Sequence, residues 1–225
     1  MKTVYIRHLG QVGYEPAYTA MQAFNSSRRA DTVDEIWCLE HPPVYTLGLA
    51  GRAEHILDAG DIPLVHADRG GQVTYHGPGQ LVVYLLLDLK RNAISIKHYV
   101  RLLEQAVIGM LADLSISAER RTRAPGVYVD DRKIAALGVR VRGGCCYHGL
   151  ALNVNMDLAP FQGINPCGYQ GLEVTQISDY GVDLNTREAA DLLLPRLLDL
   201  LGFDRQQLLD EQPRQLTVAV ERIVA

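Results

Sequence analysis

Basic charge is in short supply in this chain. Its 22 lysines and arginines face 26 aspartates and glutamates, a formal net charge of −4. A nucleic-acid binder carries a basic footprint at the level of the whole chain, so that class is excluded. Cysteine is scarce as well: Cys38, Cys145, Cys146 and Cys167 form neither a CxxC pair nor a ladder with histidine. Cys145 and Cys146 are adjacent and would point to opposite faces of a strand, so neither zinc nor a disulfide framework is expected. A reducing cytoplasm fits that usage. No apolar run approaches a membrane span, since the longest, Leu81 to Leu87, is far too short, and Met1 to His8 lacks the apolar core of a signal peptide. A P-loop, a dinucleotide fingerprint, internal repeats and low-complexity linkers are all missing. At 225 residues and 48% hydrophobic, the chain reads as one soluble globular domain over 1–225, with no membrane association.

Periodicity supplies a coarse order of elements. Residues 3–8 read as a strand, and Tyr14, Ala17, Tyr18, Met21 and Phe24 recur at helical spacing, a stripe expected to be plain core. Glu35 to Glu40 is a strand closed by His41-Pro42-Pro43, with Cys38 in the core, and Val44 to Gly48 is a second extended piece. The unbroken apolar run from Leu81 to Leu87 suits a strand covered on both faces. A helix follows from Ser95 to about Leu114, and then three strands joined by Asp130-Asp131-Arg132 and Arg142-Gly143-Gly144 turns: 126–129, 133–141 and 145–155. Asn185 and Glu188 form a capping-box pattern for a helix to about Leu201 that Pro195 should kink or divide, and 216–224 closes the chain as helix or strand.

Three stretches stand out from this background. In Ile164-Asn165-Pro166-Cys167-Gly168-Tyr169, Pro166 fixes its φ and Gly168 widens the allowed backbone, which seats Cys167 on a rigid loop. It is either an aimed nucleophile, which needs a nearby charge or base, or a small buried hydrophobe. In Arg69 to Gln80, paired glycines and a Gly-Pro-Gly corner bracket one short strand, a composition suited to backbone lying against a ligand or to two tight turns. Lys133 opens the apolar run Ile134-Ala135-Ala136-Leu137-Gly138, its ammonium either reaching water at the turn or buried at a cost. Gly149 and Ala151 in His148-Gly149-Leu150-Ala151-Leu152-Asn153 leave room on one face for a narrow apolar slot.

Taken together and in order, these blocks resemble the lipoyl(octanoyl) transferases, which move an octanoyl group from acyl carrier protein to lysines of lipoyl domains. The resemblance spans most of the chain. It implies an α/β (α+β) single domain related to the biotin and lipoate protein ligase catalytic fold, a mixed sheet flanked by helices, working as a monomer without cofactor or metal. It matches Cys167 to an acyl-thioester nucleophile and Lys133 to the partner that lowers its pKa and serves as general acid and base. Substrate-lining segments are Arg69, Gly70, Gly71, Gln72, Val73, Thr74, Tyr75 and His76, then Ala136, Leu137 and Gly138, then Gly149, Leu150 and Ala151. His148 is a possible support, and His76 and His148 stand equally as structural histidines. Ala136 takes a place where some relatives carry serine. The implied partners are octanoyl-acyl carrier protein as donor and, as acceptors, lipoyl domains of 2-oxoacid dehydrogenase E2 subunits and the glycine cleavage H protein. Arg120, Arg121, Arg123, Arg140 and Arg142 form a candidate basic rim for these acidic proteins. Rival readings are an ATP-dependent ligase of the same fold, a non-catalytic acyl-protein binding module and a cysteine thioesterase.

Overall fold

A computed structural model describes residues 1–122, 124–166 and 171–224, with side chains through 219. Cys167, Gly168 and Arg123, all singled out from the sequence, lie outside the described residues. The order of elements is β1 (Thr3–Gln11), α1 (Tyr14–Ser27), β2 (Asp34–Glu40), β3 (Val44–Leu47), β4 (Leu64–His66), β5 (Val73–His76), β6 (Gln80–Asp88) and α2 (Ile96–Asp113). There follow β7 (Glu119–Arg121), β8 (Ala124–Val129), β9 (Arg132–Arg142), β10 (Cys145–Asn153), α3 (Thr186–Leu201), β11 (Arg205–Leu208) and α4 (Arg214–Val224).

Eight strands form one mixed sheet in the order β11-β1-β2-β6-β10-β9-β8-β7, parallel at the β11-β1-β2 end and antiparallel beyond it. β6 lies in the middle, and its alternation feeds two cores at once. Leu81, Val83, Leu85 and Leu87 pack under α2 and α3, while Val82, Tyr84 and Leu86 pack under α1 and α4. An unbroken apolar run is what a strand with two covered faces requires. The second sheet, β4-β3-β5, is small and leans on a separate cluster with Met156, Phe161 and Ile164. The corner before β6 is fixed by Gly79 at φ 81°, whose carbonyl accepts from Val154 N and Asn155 N at 3.2 and 3.1 Å. A Cβ there would strike the Asn155 carbonyl, so glycine is required.

Local signals explain the helix starts. Ser95 Oγ accepts from His98 N at the head of α2, and Asn185 and Glu188 form the full capping box of α3. Pro195 lies inside α3, which runs on to Leu201 and is not divided there. One lost backbone hydrogen bond is outweighed there by the apolar face of Leu193, Leu194, Leu197, Leu198 and Leu201, all buried. Both predicted hairpin turns form, with Asp130 and Asp131 at φ 46° and 66° and Gly143 and Gly144 at 63° and 87°. The last element is a helix. β4 and β11, short and exposed, carried no period to announce them, and the Glu119–Arg121 run is an edge strand. No helix is long and apolar enough to cross a membrane among the described residues.

Candidate functional site

The inner strands β9 and β10 make the floor of a slot whose wall is the loop and strand from Arg69 to His76. Its cavity volume is about 50 Å³. Arg69 builds the wall: its guanidinium donates to Thr46 O at 2.7 Å, to Thr46 Oγ1 and to the Gly70 carbonyl, which ties the small sheet to the loop. Gly70 N then donates to Val139 O at 3.0 Å and anchors the loop on β9. That contact leaves no space above Gly138, where a Cβ would meet Arg69 Cδ at 3.0 Å and Gly70 O at 3.1 Å.

Of the residues matched to substrate binding, Arg69, Gly71, Gln72, Val73, Thr74, His76, Ala136, Leu137, Gly138, Gly149, Leu150 and Ala151 line this slot, as does His148. Gly70 and Tyr75 do not. Gly70 is spent on the backbone link to β9, and the two-residue alternation of β5 turns the Tyr75 ring away to pack on Tyr45 and Phe161, at 5.5 Å from each. Tyr14, Val82 and Tyr84 complete the lining and were not foreseen as such. Tyr14 read as core because its helical spacing is that of any buried stripe; only the tertiary fold turns its ring into the slot.

Lys133 reaches its place through a β-bulge. Val127 pairs with Ala135 and Tyr128 with Lys133, so Ile134 is an extra residue on β9. Ala135 is in the core under α2 and α3, with Leu137 and Val139 packed against it. Strict alternation would send Lys133 there too. Ile134 takes that core position instead, and the bulge returns Lys133 to the face shared by Ala136 and Gly138. Lys133 is 4% exposed, so its ammonium does not reach bulk water at the turn. Nζ donates to Pro125 O at 3.3 Å and stands 5.4 Å from the centre of the Tyr128 ring. Its backbone pairs with the segment that follows the cysteine loop, Lys133 N donating to Glu173 O and Thr175 N to Lys133 O.

A buried polar network underlies the slot. His76 Nδ1 donates to Gln80 Oε1 at 2.7 Å, Gln80 Nε2 donates to Asn153 Oδ1 at 2.9 Å, and Asn153 Nδ2 donates to Thr175 O at 2.9 Å. Beside it, His41 Nδ1 donates to Val12 O at 2.6 Å, which leaves Nε2 to accept from the Tyr84 hydroxyl at 2.6 Å. Burial holds His41 at a pKa of about 4 and takes His76 well below the imidazole range, with the neighbouring histidines and Arg69 adding to the effect on His76. At the other end of the floor, His148 adopts φ 60° inside β10. That left-handed step brings its ring onto the same side as the preceding Tyr147, the two stacked at 5.1 Å, and both donate to Asp68. Burial lowers the His148 pKa, and those two donors hold the Asp68 carboxyl below its usual range despite its own burial.

The four described arginines of the proposed basic rim do not form one patch. Arg120 faces Glu104 and Gln105 and Arg121 pairs with Asp131, near Lys133, whereas Arg140 lies 4.0 Å from Asp68 and Arg142 ends β9. Arg132 and Arg142, the two ends of β9, are ten residue steps or about 33 Å of strand apart. Among the described residues no group of three histidine, cysteine, aspartate or glutamate side chains is placed to hold a metal.

Residues 14–197 match the lipoyl protein ligase A/B catalytic domain, and the chain belongs to that family. Within it the chain stands with the octanoyltransferases, which makes it an acyltransferase. It is 60% identical to the octanoyltransferase of Chromobacterium violaceum over 192 residues, 85% of this chain and 93% of that one, and 61% identical to that of an Azoarcus species over 198 residues, 87% of each. The fold is also that of a bipartite lipoate protein ligase from Thermoplasma acidophilum, with a TM-score of 0.78 at 18% identity over 99% of this chain and 92% of that one. A biotin protein ligase from Aquifex aeolicus shares it more distantly, with a TM-score of 0.54 at 13% identity over 90% and 70%. The expected fold class, a mixed sheet flanked by helices in the lipoate and biotin ligase manner, is the one observed.

Proposed function

We propose that the protein transfers an octanoyl group from acyl carrier protein to the lysine amine of lipoyl domains, by way of a thioester on Cys167. The observation that carries this reading is the bulge at Ile134, which puts a buried lysine on the sheet face that also carries the apolar slot, next to the slot rather than in its lining. The glycine-lined floor runs from the Ala136–Ala151 pair to the Val139–His148 pair, about 10 Å along the strand. An extended eight-carbon chain, at roughly 1.2 Å per bond, reaches about 8 Å.

Each step follows from the residue types. The Lys133 ammonium favours the Cys167 thiolate by charge. The thiolate attacks the carrier thioester carbonyl, and on collapse the carrier thiolate leaves with the proton of Lys133. Exchange of one thioester for another costs little. Lys133, now neutral, accepts the proton of the incoming lysine amine as it attacks, the amide forms, and Cys167 departs as thiolate beside a recharged ammonium. Arg69 and the anchored Gly70 hold the slot wall. The acceptors in this reading are the E2 lipoyl domains and the glycine cleavage H protein, and the enzyme acts as a cytoplasmic monomer without cofactor.

Intact-mass analysis after mixing with octanoyl-loaded carrier protein tests the reading. An octanoyl adduct should form without ATP, vanish in Cys167→Ala and pass to a lipoyl-domain lysine in the wild type. Transfer that requires ATP, or that persists without the thiol, refutes it; release of the acyl group to water identifies a thioesterase.

A further inference from the structure

Glu104 sits where the buried stripe of α2 calls for an apolar side chain. Its neighbours on that stripe are Tyr99, Leu103, Ala106, Val107, Met110 and Leu111, and Glu104 itself is 5% exposed. A buried carboxylate is costly unless it is hydrogen-bonded. Its Oε1 accepts from Gly126 N at 3.1 Å, and its Oε2 lies 3.5 Å from Arg120 Nε. The first contact answers a need created on β8. Strand β7 pairs Arg120 with Val127 and Arg121 with Ala124, so its register passes over Pro125 and Gly126. Gly126 has φ 142°, a conformation that favours glycine, and a Cβ on it would strike Lys133 Cε at 2.7 Å.

The amide that joins Pro125 to Gly126 thus has a charged side chain at each end. Its N–H donates to the Glu104 carboxylate, and its carbonyl accepts from Lys133 Nζ at 3.3 Å. In a trans amide these two groups point in opposite directions. The amide dipole therefore lies between opposite charges in its favourable sense, and each hydrogen bond polarises the other. Because α2 covers one face of the sheet and Lys133 is on the other, this chain of bonds crosses the sheet. The neighbouring charges have partners of their own: Arg121 pairs with Asp131, and Arg132 lies 3.9 Å from Asp130. Holding one N–H of Lys133 matters to a group that must both give and receive a proton. An ammonium has three N–H donors, and the amine left after one proton departs has two and a lone pair. With one N–H fixed on Pro125 O, the lone pair faces away from that carbonyl, which sets the direction from which the next proton arrives.

We infer that Glu104 is a positioning residue for the transfer reaction, fixing the Pro125–Gly126 amide that orients Lys133. The inference rests on the octanoyl-transfer reading. Glu104→Met and Glu104→Leu fill the same space without an acceptor, whereas Glu104→Gln keeps a carbonyl oxygen for Gly126 N–H. Either apolar variant should lower kcat for octanoyl transfer about tenfold with KM for the carrier unchanged, as expected of a misaligned general base, and Glu104→Gln should recover most of that loss. The pH dependence of Cys167 alkylation by iodoacetamide separates positioning from mere stability and needs no acyl donor. It is read by mass, and only in molecules whose buried Cys38 and Cys146 stay unmodified, hence in folded ones. Lys133→Ala should move the midpoint up by about one pH unit, the charge no longer favouring the thiolate. The apolar Glu104 variants should move it in the same direction, with Glu104→Gln close to the wild type. A midpoint unmoved in the apolar variants while Lys133→Ala shifts it, or an equal loss in Glu104→Gln, overturns the inference. If Lys133→Ala leaves the midpoint in place, it is the cysteine and lysine reading that fails, and the inference falls with it.

Discussion

Acid should unfold this protein through its buried histidines, and His41 allows the size of the effect to be worked out. In the folded chain its pKa is about 4, lowered by burial and by the field of His148, with the hydrogen bond to Val12 O pulling the other way. In the unfolded chain the ordinary value near 6.5 returns. A base with a depressed folded pKa binds fewer protons folded than unfolded, so its contribution is intact above pH 6.5 and is lost as pH falls towards 4. The loss runs at about 1.4 kcal/mol per pH unit, or about 3 kcal/mol across the whole window. His76 is shifted in the same direction by its burial. Between pH 7 and pH 5 His41 alone removes about 2 kcal/mol, a substantial share of the 5–15 kcal/mol typical of a domain. Urea denaturation followed by the fluorescence of Trp37, the single tryptophan and fully buried, reads this directly. His41→Gln keeps a donor for Val12 O and an acceptor for Tyr84, and should flatten the dependence of stability on pH by about one proton between pH 4.5 and 6.5. Equal slopes in wild type and variant would refute the assignment of His41 as a neutral, buried imidazole.

Other perturbations test other parts. Gly149→Ala should cost about 3 kcal/mol in chemical denaturation, because a Cβ there strikes the Val83 carbonyl of the neighbouring strand β6. Gly138→Val should cost less stability but lower octanoyl transfer by more than tenfold, since the new methyls displace the Arg69 and Gly70 wall; transfer at the wild-type rate would show that the slot is not the acyl site. Asn185→Ala should cost about 1 kcal/mol through loss of the α3 capping box, with transfer kinetics unaffected.

Much of this architecture was legible because its causes are local. The run Leu81 to Leu87 announced a doubly covered strand, Asp130-Asp131 and Gly143-Gly144 announced tight hairpins, and Asn185 with Glu188 announced a helix start; the structure has each. What stayed hidden depends on contacts between distant segments. Pro195 does not divide α3, whose five buried leucines hold both of its halves against the sheet. Tyr14 has the spacing of a core residue and the position of a wall residue, and no pattern within α1 separates the two. The arginine rim was inferred from closeness in sequence, which an eleven-residue strand converts into distance.

The two ends of the slot share a structural logic that alternation alone could not supply. A regular β9 would offer the slot only every second residue and would bury Lys133 among Ala135, Leu137 and Val139, where an unpaired ammonium is expensive. A regular β10 would set Tyr147 and His148 on opposite faces, so that Asp68 could be reached by one of them. One inserted residue corrects the first and one left-handed residue corrects the second, each at a cost of local ladder regularity that the flanking strands absorb, since β9 and β10 are both paired on either side. The sheet thus supplies rigidity, and its two departures from regularity place side chains that alternation would not: a buried lysine near the start of β9 and a hydrogen-bonded cluster around Asp68 on β10.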